Sequence, residues 1–222
     1  MTNKSKSFSR NQIALLSLGL LLVSSGLGCI NFVANMIHAV HGDMIPAEFD
    51  KLGGKKVAVV CRTDEGFQAN ATNSILHNNL QMALATNIED VKLVRRSEIQ
   101  NWLNSNGWEE SDYFTIGKGV EADLVVAVEV ANLKLRNGPT LYRGQADVSV
   151  KVYDIEHEGV PIYHKQMNEI AFPQNSGKPI TDTSESKFRQ FYLAYLTRKI
   201  GALFYPVDAT ADYALDATMS SF

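Results

Sequence analysis

Two cysteines, Cys29 and Cys61, have the widest chemical range of any residues in this chain. A cysteine can act as a nucleophile, ligate a metal, form a disulfide or accept a lipid, and its surroundings decide which. Cys61 closes the apolar run 56–61, a strand end of the kind where α/β proteins often place a functional loop. The following residues are Arg62-Thr63-Asp64-Glu65-Gly66-Phe67. A cysteine-phosphatase loop needs arginine at position 67, where Phe stands, and the two acids would repel phosphate. Cys61 is therefore expected to pack as a small hydrophobe. Asp64 and Glu65 have the residue types for acid–base work, yet adjacent acids in a polar loop are usually just solvated.

The histidines give no stronger signal. His38 and His41 lie three apart with Asp43 beyond, but no third and fourth ligands follow at metal-site spacing. His77 falls in a helical stretch, and His157 and His164 flank a hairpin and its strand. None belongs to a G-x-S-x-G, H-E-x-x-H or C-x-x-C pattern. The Gly53-Gly54-Lys55-Lys56 cluster precedes its strand, so it cannot cradle phosphate between strand and helix. The expectation is no cofactor, no metal and no enzyme. A net charge of -3 also argues against a general nucleic-acid binder, which needs a basic surface to displace counterions.

Interaction chemistry is better represented. Arg95-Arg96 directly follows a short apolar run, where a guanidinium can clamp a carbonyl or a carboxylate. Tyr192, Tyr195 and Tyr205 lie on or beyond an aromatic-rich helix and have the type used as interface anchors, although such a stripe more often fills a core.

Cys29 has a different context. Residues 1–10 carry Lys4, Lys6 and Arg10 and no acid, and no charge follows until Asp43. A basic start, an apolar run and the small-residue exit Ser24-Ser25-Gly26-Leu27-Gly28 are the three parts of a secretory signal. The four residues before Cys29 resemble a bacterial lipobox in its permissive form. Gly28 suits the cleavage subsite, while Gly26 and Leu27 depart from the commoner Leu and Ala or Ser. Three alternatives stand: cleavage with lipid on Cys29, ordinary secretory cleavage without lipid, or an uncleaved anchor, since the uncharged stretch exceeds the roughly 20 residues of a spanning helix. Lipidation would supply the several acyl chains that stable anchoring needs. Ile30 stands where an aspartate would hold an enteric lipoprotein at the inner membrane, so the resemblance implies the outer membrane, with the domain in the periplasm.

The elements that would position these residues are legible from periodicity and turn signals. After a signal at 1–28 comes a tether over 29–54 with a short amphipathic helix at 30–41. A folded domain at 55–205 and an exposed tail at 206–222 complete the chain. Strands are expected at 56–61, 91–94, 123–135, 141–156 and 160–172, the last three an antiparallel meander. Helices are expected from a Ser74 cap and from a Ser97 cap to Gly107, with a short one before Ala122 and the longest over 184–206. This is an α/β sandwich with one mixed sheet and helices packed mainly on one face.

Val94-Arg95-Arg96-Ser97 and the lead-in from Gly117-Lys118 to Ala122-Asp123 give the chain from about 55 to 204 a family likeness. It resembles the domains of bacterial envelope lipoproteins that include the curli-secretion channel lipoprotein, the lipoprotein activators of penicillin-binding proteins and the amino-terminal domain of the Tol–Pal propeller protein. The resemblance implies a non-catalytic envelope accessory or assembly factor, anchored through Cys29, with a protein partner met by residues such as Arg95 and Arg96. An oligomerising subunit of a secretion or transport assembly is the second class. A periplasmic hydrolase using Cys61 or Asp64 is the third.

Overall fold

A computed structural model describes residues 44–64, 71–107, 112–157, 160–174 and 176–210. Cys29, His38, His41, Asp43, Glu65 and the end of the tail lie outside the described residues. The chain divides between Met44 and Ile45, and the main sheet with its helices belongs to the unit Ile45–Phe222.

In chain order its principal elements are β1 (Lys56–Thr63), α1 (Ala71–Asn87), β2 (Lys92–Leu93), α2 (Arg96–Asn106) and α3 (Tyr113–Gly119). They continue with β3 (Leu124–Asn137), β4 (Leu141–Asp154), β5 (Tyr163–Phe172), β6 (Lys178–Pro179) and α4 (Glu185–Gly201). The main sheet runs β2-β1-β3-β4-β5, with β6 pairing the start of β4. β1 is parallel to both neighbours, whereas β3, β4 and β5 form the antiparallel meander.

The run Leu124–Val128 is apolar without alternation because it sits at the sheet centre with both faces covered. On one face, α1 and α4 lay Leu76, Leu80, Leu84, Phe188, Leu193 and Leu196 over the larger core. On the other face, α2 and α3 cover only the β1 and β3 side with Ile99, Leu103 and Ile116. The two long helices thus share one face and the two shorter ones take the other. The core starts ahead of residue 55, because Phe49 and Leu52 are buried in it.

The lead-in to β3 has a structural explanation. A Cβ at Gly117 would strike Ile155 and Val125, and one at Gly119 would strike the Trp102 ring, so α3 can pack this closely only through glycine. Asp123 then locks the two parallel strands together. Its Oδ2 accepts from Lys56 N at 2.6 Å while its own N–H donates to the Lys56 carbonyl at 2.7 Å.

Two helix starts differ from the expected caps. α1 begins at Ala71, so Ser74 lies inside it, and α2 is capped at Arg95, so Ser97 falls in its first turn. Gly107 does end α2, with φ 93° and its N–H on the Leu103 carbonyl. α4 has a true cap, Ser184, whose side chain accepts from Lys187 N. β5 starts at Tyr163, three residues later than expected.

Candidate functional site

Where β1 ends, the sheet changes character. Thr63 is the last residue of β1 and pairs with Val130, whereas β3 continues to Asn137. The positive-φ residue Asn132 (φ 55°) marks a bulge that shifts the β3–β4 register between Ala131 and Lys134. Asp64 fixes this bulge, its Oδ2 accepting from Asn132 N at 2.8 Å, and the Asn132 amide donates in turn to Asp147 Oδ2.

Beyond the bulge lies an open groove of about 500 Å³, walled by Leu133–Arg136 of β3, Thr63 at the end of β1, Asp64 just after it, and the first turns of α1 and α4. Its charged centre is Glu185. One carboxylate oxygen takes Nε and Nη2 of Arg136 at 3.1 and 3.0 Å, and the other takes Nη2 of Arg189 at 3.2 Å. Arg136 lies 5.3 Å from the centre of the Tyr142 ring, which itself stacks on Phe188. The guanidinium is therefore aimed by the aromatic core beneath it. Two guanidinium groups share one carboxylate, so the pairing leaves positive charge in the groove. These pairs are half-exposed and add little to stability. Their geometry suits carboxylate recognition.

A second polar cluster lies at the edge of α3, on the face that α2 and α3 partly cover. Tyr113 Oη donates to Glu129 Oε1 at 2.8 Å, and Lys151 Nζ reaches Oε2 at 3.1 Å. Partial burial pushes the Glu129 carboxyl up, but these hydrogen bonds and the Lys151 and Arg62 charges bring it below its usual range. Burial and Glu129 hold Tyr113 well above the ordinary phenol range. Ser149 Oγ and His164 Nε2 sit 3.2 Å apart in the same face, exposed. Asp154, Glu156 and His157 gather at the end of β4 with ligand atoms within 4.8 Å of one another, again on the surface.

The residues singled out by type fall in different places. Cys61 is buried beside His77 and Arg96 in a small cavity of about 30 Å³. Burial pushes its thiol up to about 12, against a weaker pull from Arg96, so it stays protonated and packs as expected for a small hydrophobe. Tyr192 and Tyr195 are 0% and 4% exposed and sit in the core, as does Tyr205. Tyr192 Oη donates to the Ile170 carbonyl at 2.7 Å, and Tyr195 stacks on Phe172. Their surface is already spent inside the domain, so the anchor role offered by their type is not one their position allows.

Arg95 and Arg96 part company. Arg95 is exposed at the start of α2 and makes no capping bond. Arg96 turns inward, its Nη2 donating to Ser74 Oγ at 2.6 Å and so tying α2 to α1. Arg96→Ala is expected to lower stability by about 1 kcal/mol, the worth of one charge-assisted bond. Arg95→Ala should stay within about 0.5 kcal/mol. Urea midpoints of the two variants check this, and equal midpoints would refute it.

The groove residues Lys134, Arg136, Glu185 and Arg189 carry a faint sequence signal. Leu133-Lys134-Leu135-Arg136 alternates, and Glu185 and Arg189 are spaced i,i+4. Nothing in the sequence brings the two segments together.

Among the described residues no helix is long and apolar enough to cross a membrane. No family model matches the chain, and no curated protein matches it either. Several solved structures resemble it. The LpoB C-terminal domain from Salmonella enterica is 18% identical over 64% of this chain and 93% of that one, with a TM-score of 0.35. Lipoprotein GNA1162 from Neisseria meningitidis is 10% identical over 65% of this chain and 96% of that one, at 0.43. The PelC dodecamer from Paraburkholderia phytofirmans is 13% identical over 73% of this chain and 95% of that one, at 0.33. These scores all lie below 0.5, so the architecture stands on its own strand order and register. The structures this chain is similar to are thus in part bacterial lipoproteins.

Proposed function

We propose that this chain is a lipid-anchored bacterial envelope protein whose domain binds another protein and performs no catalysis. The single observation that carries the reading is the charge pattern of residues 1–42. Three cations and no acid precede an uncharged apolar run through the small residues before Cys29, and a folded domain follows in the sequence. Cys29 is the lipid acceptor, and the periplasmic face of the outer membrane is the address. The domain's share is a docking surface. Its one cysteine is buried and protonated, and its Ser149–His164 pair is exposed.

Intact-mass analysis of the membrane-extracted protein tests the anchor. The expected species begins at Cys29 and carries the mass of a diacylglycerol and an acyl chain, and Cys29→Ser moves the protein out of the lipidated pool. A full-length, unmodified chain in the membrane would instead establish an uncleaved anchor.

A second reading, a subunit that assembles with copies of itself, draws on the ten-residue edge strand β5, which has a neighbour on only one side among the described residues. Light scattering on the detergent-extracted chain separates the two, since a monomer at micromolar concentration excludes a stable ring.

A further inference from the structure

We propose that the groove beside the far half of β3 binds an extended, acidic peptide segment of the partner protein, added as a strand in line with β1. The inference rests on the protein-binding reading above and specifies the chemistry of the partner. Its first support is the sheet itself. β1 stops opposite Val130, so Leu133–Asn137 has no strand on that side among the described residues. Five residues of bare edge span about 17 Å, enough to pair a short strand. At the near end the sheet already accepts a substitute for a strand, because the Asp64 side chain takes the Asn132 N–H. The groove gives the incoming backbone the space, about 500 Å³, in which to reach an edge that no strand pairs among the described residues.

The second support is charge. Lys134, Arg136 and Arg189 face Asp64 and Glu185, and one oxygen of the Asp64 carboxylate takes the Asn132 backbone N–H. Glu185 serves two guanidinium groups at once. A peptide carboxylate entering here meets cations with donors to spare, whereas a lysine meets repulsion. Val130, Leu133 and Leu135 add apolar wall to the same groove. An extended strand presents alternate side chains to opposite sides, so a segment alternating apolar and acidic residues fits both linings. Charged residues on an open edge also guard against self-pairing, and that competing role makes the opposite prediction for added peptide.

The detergent-solubilised full chain would be titrated into fluorescein-labelled Val-Glu-Val-Glu-Val-Glu, with Val-Lys-Val-Lys-Val-Lys as the control, and anisotropy followed. Saturable binding of the glutamate peptide alone is expected. Arg136→Gln combined with Arg189→Gln should weaken it about tenfold or more. Glu185→Gln should strengthen it, a change no folding defect mimics. N-methylation of alternate peptide nitrogens removes the backbone donors and should abolish binding, and amide exchange at 133–137 should slow in the complex. No saturable binding, equal binding of the lysine peptide, or indifference to the arginine pair would overturn the proposal. Undiminished binding of the N-methylated peptide would reduce the groove to an anion site and overturn strand addition. Photoreactive residues at Leu135 and at exposed Met82 keep the two readings apart in membranes. With peptide binding absent, a partner crosslinked only from Met82 would sink the groove and leave the docking role intact. Crosslinks from neither position would count against both.

Discussion

Tyr192→Ala is expected to cost the domain about 3–5 kcal/mol, a large share of the total stability of a unit this size. The ring is fully buried, and a Cβ at Gly144 would overlap it, so β4 has been narrowed to glycine to admit the tyrosine. Alanine leaves a cavity against the β4 and β5 backbone and removes the donor to the Ile170 carbonyl. Tyr192→Phe separates these contributions, since it keeps the ring and loses only the hydrogen bond, worth about 1 kcal/mol. Chemical denaturation of both variants checks the ordering. The measurement also decides between the two roles open to an aromatic on this helix. An interface anchor would lose partner affinity with an unchanged midpoint, and that result would contradict the buried placement.

Acid should weaken the fold well above the range in which carboxylates titrate, and His77 is the reason. The imidazole is only 4% exposed, and burial, with the Arg96 guanidinium close by, lowers its pKa from 6.5 to about 4, the Val59 carbonyl that would favour the cation being outweighed. A histidine depressed in the folded state is neutral there while the unfolded chain already takes up a proton. Between pH 6.5 and about 4 the unfolded state therefore binds more protons, and stability falls as the pH drops through that window. The full loss is about 3 kcal/mol, from a shift of that size at 1.36 kcal/mol per pH unit. His77→Leu should remove the slope between pH 6.5 and 4. Glu129, whose carboxyl is held low, contributes in the same direction but only at the acid end. Urea midpoints taken at pH 7, 6, 5 and 4 provide the test. A wild-type chain with a flat profile over that span would refute the assignment.

Much of the architecture was legible because each element's burial leaves a local period. The alternation through Ala146, Val148, Val150 and Val152 predicts a strand with one covered face, and all four are buried. The same meander pattern predicts one solvated face for the strand over 123–135, yet the run Leu124–Val128 takes the sheet centre and is buried on both faces. The stripe Leu76, Leu80 and Leu84 places α1 against the sheet. Helix starts were less legible. Ser74 and Ser97 have capping side chains, but a hydroxyl within a first turn and one before it have the same local sequence, and the contact with Arg96 uses Ser74 inside the helix.

The candidate site was hardly legible at all. Arg95 and Arg96 are adjacent and alike in sequence, yet one faces solvent and the other crosses to α1, which depends on how α2 docks. Tyr192 and Tyr195 belong to a stripe whose width cannot tell a core from a partner surface. Arg136 and Glu185 are 49 positions apart and meet only because β3 outruns β1 while α4 starts over the gap. By itself the sequence determined the order and type of the elements and the charge pattern around Cys29, because period, caps and charge are properties of neighbours along the chain. Which tyrosines are buried, which arginine is exposed, and where a bare strand edge meets a cluster of guanidinium groups were decided by the tertiary structure. Those outcomes depend on strand lengths and helix docking that bring distant residues into one place.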